Sequence, residues 1–379
     1  MRFVEFKQLP AQPLAEGARI QHAEDIVFWE GSKGAARALQ SLMNLEKGGH
    51  KDVTVKWDGS PAVIFGRDEA GNFVFTDKSG FTAKGYDGKS KSPEDLKNMF
   101  LNRSGGKNRE NPGYVEFANK MAGIFDAYNR ATPADFRGYF KGDLLYFNTP
   151  AQKNGEFIFK PNVVEYRVDA GSDLGKKIAR SKSAIVIHRQ VSEDGTEGPL
   201  QDSDIFLGEE VLVVPPVTAQ AAPKVDTTGI KKLKSIIAKD SAAIDDLLNP
   251  VTLTDQKMKD LPEIFYTYTN SKVDTGLENL GKDFAQWLQT SKVSPIKQKK
   301  VMEYIQQHSK GFAALWEVVT TIQQVKDDVI SQLDKQDIPV KQSMAGEEGG
   351  EGYVLAHPEG DIKLVPRQTF TRINRAIER

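Results

Sequence analysis

Lys56-Trp57-Asp58-Gly59-Ser60 stands between two strand-like runs, residues 53–55 and 61–65. A Lys-x-Asp-Gly string in that setting places a primary amine at the end of a strand beside a tight turn, where a phosphorus atom can be brought against nitrogen. The amine attacks only when unprotonated, so its pKa has to fall from about 10.4 towards neutrality through nearby cations and partial burial. Three fixed residues are weak on their own, and the plain alternative is a β-hairpin closed by Asp58-Gly59. The string gains weight from the charged positions that follow it in order. These are Lys78 in Thr76-Asp77-Lys78-Ser79-Gly80, Asp143 in Lys141-Gly142-Asp143-Leu144, Glu351 in Glu351-Gly352-Tyr353-Val354, and Lys363 in Asp361-Ile362-Lys363-Leu364-Val365.

The elements that must position these residues are mixed. After His22-Ala23-Glu24-Asp25, the apolar residues Ile26, Phe28, Trp29, Ala36, Leu39, Leu42 and Met43 partly repeat at helical spacing and predict one helix up to Leu45. Short strand patterns at 53–57, 61–65 and 73–76, with Asp58-Gly59 and Ala70-Gly71-Asn72 between them, predict an antiparallel meander. Residues 84–111 carry seven Lys or Arg among glycines and serines and read as a mobile basic surface loop around a short helix, either solvated or in contact with phosphates. A helix at 114–130 precedes strands near 138–148, 156–160, 163–168, 184–189 and 210–214. The Pro-rich stretch 215–223 reads as a linker, and from Ile230 the period turns helical, with Ser294-Pro295 as an N-cap and a long helix over 312–333. Strands return at 353–355 and 362–365. The organisation expected is therefore α+β: a sheet-bearing domain in two parts, 1–219 and 341–379, carrying an all-α insertion at 220–340.

Composition narrows the classes. With 51 basic and 52 acidic side chains, contact with nucleic acid has to come from a local patch and not from a global field. The absence of cysteine excludes disulfides, thiolate catalysis and cysteine zinc sites. No apolar run reaches the length of a membrane span, and the amino terminus has no signal-peptide pattern, so no membrane partner and a cytoplasmic location are expected.

The ordered series Lys56-x-Asp58-Gly59, Lys78, Asp143, Glu351-Gly352-x-Val354 and Lys363 resembles the motifs of the covalent nucleotidyltransferases, the superfamily of ATP-dependent DNA and RNA ligases and capping enzymes. It is most similar to phage-type RNA ligase-like proteins, in which Lys-Trp-Asp-Gly-Ser-Pro precedes a Phe-Gly strand end. The resemblance implies a ligase-type fold of antiparallel sheets flanked by helices, with ATP and Mg²⁺ (or Mn²⁺) as cofactors and a polynucleotide end as partner. It implies Lys56 as the adenylate acceptor, with Val55, Trp57, Asp58 and Gly59 shaping the nucleotide pocket. Glu351 would assist a divalent metal, with Asp143, in a position that more often carries Glu and contacts the ribose, as second choice. Lys363 would contact phosphate, Lys78 would supply a further cation, and Tyr166 would stack on adenine. Catalysis is thereby assigned to Lys56, Glu351 and Lys363. Taken one at a time each has a plainer reading: Glu351 as a turn residue in an acidic loop, Lys363 as a solvated strand lysine, Asp143 as a strand-edge charge.

Two departures shape the expectation. The final motif is commonly Lys-x-Lys, whereas Val365 stands in the second place and Arg367 follows two residues on as a replacement charge. Only twelve residues follow Arg367, too few for the OB-fold of DNA ligases and capping enzymes. RNA ligase is therefore expected over DNA ligase, acting by adenylation of Lys56, transfer of AMP to a 5′-phosphate and displacement of AMP by a 3′-hydroxyl. The alternatives are a DNA ligase, a capping-type nucleotidyltransferase, and a catalytically silent ligase-like module that binds nucleic acid or a phage protein. The helical segment, with Lys231, Lys232, Lys234, Lys297, Lys299 and Lys300, would grip a polynucleotide, close over the site or bind a protein partner.

Overall fold

The computed structural model describes residues 21–84, 87–200, 205–273 and 276–377. The chain divides into two compact units, residues 57–216 with 339–348, and residues 21–56 with 217–338 and 349–377. Both helices and antiparallel sheets are present, as the pattern predicts.

The first unit is built on two sheets. A six-stranded sheet runs in the order Glu197–Pro199, Ser183–Val191, Gly138–Tyr146, Ala62–Arg67, Phe73–Asp77, with Val211–Val213 added in parallel to Ser183–Val191. Strand alternation sends Val63, Phe65, Phe73 and Phe75 to one face, where they meet Leu96, Met99, Met121, Phe125 and Tyr128 of helices Pro93–Leu101 and Pro112–Ala131. The Phe75 and Tyr128 rings stack with centroids 4.9 Å apart, and each buried aromatic of this kind contributes about 2–3 kcal/mol. Ile64, Val74 and Tyr139 point the other way into a second small cluster with Phe81 and Val191, which is why these strands read as unbroken apolar runs. Both helices start as their sequences dictate, with Pro at N1 and the Ser92 and Asn111 side chains accepting the first free N–H groups. The second sheet has five strands in the order Glu347–Glu348, Val340–Met344, Glu165–Asp169, Glu156–Phe159, Gln152–Lys153.

The second unit is mainly helical. Helices Ile26–Leu45, Thr227–Leu247 and Ser309–Leu333 form its centre, and Phe28, Phe265, Tyr268, Phe284, Phe312 and Trp316 make an aromatic core of edge-to-face and tilted pairs. Helix Pro295–Gln307 is capped by Ser294, whose hydroxyl accepts from the Lys297 N–H, and Pro295 occupies N1. A four-stranded sheet in the order Gln21–His22, Ile362–Leu364, Tyr353–Leu355, Val53–Val55 belongs to this unit. The 220–340 segment thus supplies most of the helices, while helix Ile26–Leu45 and both chain ends of the four-stranded sheet join it in one packed body.

Three local expectations change. The predicted meander does not form at its first turn: Val53–Val55 pairs with Tyr353–Leu355, and only Ala62–Arg67 and Phe73–Asp77 make the hairpin. The strand stops at Val55, and Asp58-Gly59 links two different sheets. The Pro-rich linker is in part a strand neighbour, since Val55 N–H donates to Val217 O and Ala219 N–H to Val53 O, at 2.8 and 2.9 Å. The basic loop is largely folded into helix Pro93–Leu101 and a 3₁₀ segment Arg103–Glu110, with Arg103 paired to Asp77, Lys89 to Glu193 and Lys91 to Asp68. Gly85 and Tyr86 of that stretch lie outside the described residues.

Inside the helical unit, Lys326 and Glu24 are both 0% exposed and their Nζ and Oε1 atoms lie 2.7 Å apart. An ion pair with no access to water tolerates loss of one partner poorly. Lys326→Met is expected to lower unfolding stability in urea by about 3–5 kcal/mol, and Lys326→Met with Glu24→Leu to recover most of it. A double variant as unstable as the single one would refute the pairing as the cause.

Candidate active site

The four-stranded sheet is assembled by register. Thr54 stands opposite Val354, Val354 opposite Lys363, and Lys363 opposite His22, so one row of side chains on one face runs across all four strands. The alternate residues Val53, Val55, Tyr353, Leu355, Ile362 and Leu364 are buried on the opposite face. Val55 therefore serves the core, while Lys56, one residue past the strand, falls on the side of Thr54.

Lys56 is held at both ends. Its backbone N–H donates to Gly352 O at 2.9 Å, and its Nζ forms an ion pair with Oε1 of Glu351. Gly352 permits this arrangement: its φ is +112°, and a Cβ there would lie 2.2 Å from Leu364 O. Lys363 is partly buried in the neighbouring strand, and burial, with the positive charge of Lys56 next, lowers its pKa from the usual lysine range. His22 beside it has a solvent-shielded Nδ1 with no hydrogen-bond partner among the described residues. Burial, then the charges of Arg367, Lys326, Lys363 and Lys56, hold the His22 ring well below its ordinary pKa, so it is neutral near pH 7.

Arg367 does not extend this row. It is 2% exposed at the start of helix Arg367–Ile377, and its guanidinium donates to Asp25 at 2.8 Å, Glu24 at 3.5 Å and Asn270 at 2.7 Å. Its charge is used to balance buried carboxylates. Burial raises Asp25 to about 6 against the pull of Arg367, with the Glu24 charge adding to the rise, and burial also raises Asp327 to about 6.

The other candidates lie in the first unit. Asp58, 6% exposed, accepts from Asn162 Nδ2 at 2.9 Å and from the N–H groups of Val163 and Val164 at 2.7 and 3.0 Å. Its own N–H donates to the Tyr166 hydroxyl at 2.6 Å. Asp58 thus fixes the loop between strands Glu156–Phe159 and Glu165–Asp169, one wall of a cavity of about 460 Å³ lined by Lys160, Val163, Arg167 and Lys341 among others. Tyr166 is 0% exposed and packed against Trp57 and Phe159, so its ring offers no surface to a base and acts as a support. Gly59 is required by crowding, since a Cβ there would stand 2.7 Å from Asp143 Cβ. Asp143 Oδ2 lies 2.8 Å from His188 Nε2, and Lys78, 3.4 Å from Glu197, shares that carboxylate with Lys141 at 2.6 Å.

Among the described residues no group of three His, Asp or Glu is arranged to hold a metal ion. Mg²⁺ does not require one, because it keeps several waters and binds through one or two carboxylates plus substrate oxygens. Glu351, at the amine, suits that mode. No helix of the described residues is long and apolar enough to cross a membrane.

A protein-family model matches residues 18–379. The chain belongs to DUF6267, a family of unknown function. No curated protein and no solved structure matches it.

Sequence reasoning brought out Lys56, Glu351 and Lys363 but not His22, Glu24, Asp25 or Lys326. The first three of these lie in what reads only as the lead-in to a helix, and their partners are some three hundred residues away, as with Lys326 and Glu24 at a separation of 302. The parallel pairing of Gln21–His22 with Ile362–Leu364 sets His22 beside Lys363, and side-chain contacts join Glu24 to Lys326 and Asp25 to Arg367.

A group with a lowered folded-state pKa costs stability once the unfolded chain takes up a proton that the folded chain refuses. On account of His22, stability is expected to fall below about pH 6.5, the unfolded histidine value. Asp25 and Asp327, raised from 3.8 to about 6, bind protons in the folded state and oppose the loss between those values. Urea unfolding at pH 7.5 and 5.5 should show wild type losing about 1 kcal/mol relative to His22→Gln. Equal losses would remove His22 from the acid response.

Proposed function

We propose that this protein is an ATP-dependent polynucleotide ligase, with RNA ends as the preferred substrate, that works through a covalent adenylate on Lys56. The observation that carries the reading is the meeting of Lys56 and Glu351 at strand ends of one small sheet that holds Lys363 in its next strand, from chain segments almost three hundred residues apart, in the order that the ligase-type nucleotidyltransferase motifs follow. All three belong to one unit. The finer ligase-type fold is part of the same proposal.

In the first step the lone pair of Lys56 Nζ forms a bond to the α-phosphorus of ATP. The bridging P–O bond to the β-phosphate breaks, and its electron pair leaves with pyrophosphate. The amine must lose protons on the way, and the Glu351 carboxylate in contact with it is an acceptor for one of them. Lys363, partly buried and opposite Val354, provides a fixed positive charge against the negative charge growing on the phosphates. His22 stays neutral in this field and so does not compete with Lys56 for positive charge. Glu351 is also the residue that would hold a Mg²⁺ or Mn²⁺ ion, which would supply further charge stabilisation. In the later steps AMP passes to a 5′-phosphate with release of the Lys56 amine, and a 3′-hydroxyl oxygen attacks that phosphorus, expelling AMP.

The Lys56–Glu351 ion pair also favours a second reading, a silent ligase-like module in which the pair is purely structural. Incubation with α-labelled ATP and Mg²⁺ or Mn²⁺, followed by denaturing separation, decides between them. Wild type is expected to retain label and Lys56→Ala to lose it; unlabelled folded wild type in both metals would sink the enzyme reading. Glu351→Ala and Lys363→Ala should keep the wild-type circular dichroism spectrum and lower the labelling rate by about 10²–10³. Wild-type rates in either variant would remove that residue from the reaction. Sealing of 5′-phosphorylated single-stranded RNA against nicked DNA duplex then tests the choice of strand.

A further inference from the structure

The helical unit carries a lysine in an uncommon backbone position. Helix Pro250–Asp255 ends with Lys257 N–H donating to Thr254 O at 2.9 Å and Met258 N–H to Leu253 O at 2.6 Å. This paired closure places Lys257 where glycine is the usual residue, because the position needs a left-handed backbone. Lys257 has φ of +53°, a conformation that L side chains adopt at a cost. A residue kept there against local preference is a reason to ask what its side chain does.

Its surroundings are basic. Lys297 Nζ donates to Lys257 O at 2.8 Å and pairs with Asp260, which ties the 257–260 turn to the first turn of helix Pro295–Gln307. Lys300, one turn beyond Lys297, lies on the same helix face, Lys292 lies just before the Ser294 cap, and Lys259 lies in the turn itself. Lys257, Lys259 and Lys292 are exposed and Lys300 is half-buried; none of the four has an ion pair among the described residues. The acids of these two segments are Asp255, Asp260, Glu263 and Glu303, of which Asp260 is taken by Lys297 and Glu303 stands 3.9 Å from Lys299. With a net charge of only −1 on the whole chain, a group of unpaired lysines brought together from two segments is the kind of local field that meets a phosphate backbone.

We propose that Lys257, Lys259, Lys292 and Lys300 form a docking strip for the sugar-phosphate backbone of a polynucleotide, with Lys257 held in its left-handed conformation to present its ammonium there. The choice of ligand rests on the polynucleotide substrate proposed above. The strip itself does not involve Lys56, so its test is run without ATP and read separately from labelling.

The test uses the full chain and a fluorescein-labelled single-stranded RNA of about 20 nucleotides, a length that spans several phosphate contacts, with anisotropy measured from 50 to 200 mM KCl. Lys257→Gly, Lys259→Gln, Lys292→Gln and Lys300→Gln combined should weaken binding at least tenfold at low salt. The log–log salt slope should fall by about 0.7 for each lost contact with a single strand. Lys257→Gly alone should weaken binding while leaving the urea midpoint unchanged or raised, a split that a merely structural lysine does not give. A control with the same change in net charge, the exposed Lys177, Lys224, Lys239 and Lys335 all changed to Gln, should bind as wild type. Equal losses in control and strip variants, no salt-dependent binding by wild type, or wild-type affinity in the four-lysine strip variant would each overturn the proposal.

Discussion

The antiparallel pairing of Val53–Val55 with Tyr353–Leu355 is the constraint on which the site depends. It brings residues three hundred positions apart to adjacent strands and continues one step beyond the ladder, where Lys56 N–H meets Gly352 O. That bond fixes the lysine backbone at the strand end, and Glu351, immediately before the accepting residue, is thereby delivered to the lysine ammonium. Gly352 is part of the same device, since a side chain there would collide with the carbonyl of Leu364 on the next strand. The Glu-Gly-x-Val string thus has a local physical content: the carboxylate is for Lys56, the glycine for close approach of backbone, and Val354 for the row that leads to Lys363.

Beside this row the helical unit buries charge on a scale that a packing argument alone does not require. Glu24 and Lys326 have no exposure at all, Asp25 and Arg367 almost none, and the four balance as two acids and two bases. Burial alone would raise Glu24, yet Lys326 and Arg367 hold it below the usual carboxylate range. Such a set stabilises little against apolar replacements of the same volume, but it is costly to break, and it ties together the elements that contribute to it. Those elements are the lead-in to helix Ile26–Leu45, helix Ser309–Leu333 and the start of helix Arg367–Ile377. Arg367, expected to reach a phosphate, is instead committed to this set, with its guanidinium on Asp25, Glu24 and Asn270.

Much of the fold was legible where a single period ran over many residues. The helices at 114–130 and 312–333 and the hairpin strands near 61–65 and 73–76 are found within a few residues of their predicted places, because each buries a face that local spacing reveals. Pairings between distant segments were not legible. Strand spacing predicted that Val53–Val55 would turn back at Asp58-Gly59, and the dipeptide has the chemistry of a hairpin turn. Asp58 instead spends its carboxylate on Asn162, Val163 and Val164, contacts that no local pattern announces. His22 was overlooked for the same reason: its significance comes from a parallel partner strand at 362–364. The Pro-rich stretch that reads as a linker gives Val217 and Ala219 to backbone bonds with Val55 and Val53, which proline tolerates next to an edge strand.

The Lys-x-Asp-Gly string can now be divided by task. Lys56 closes one packed unit and Trp57 opens the other, so a motif of four residues serves two bodies. Asp58 and Gly59 act wholly within the unit that Trp57 opens, the one fixing a loop by three accepted hydrogen bonds and the other making room for Asp143. Trp57 is buried against Tyr166 and Phe159, anchoring the chain directly after the lysine. In this chain the spacing serves topology as much as chemistry. One residue must anchor the chain as it leaves the strand, the next must tie down a loop, and the third must have no side chain. A substitution at Asp58 or Gly59 acts first on the unit that contains them, whereas one at Lys56 acts on the amine and its carboxylate partner.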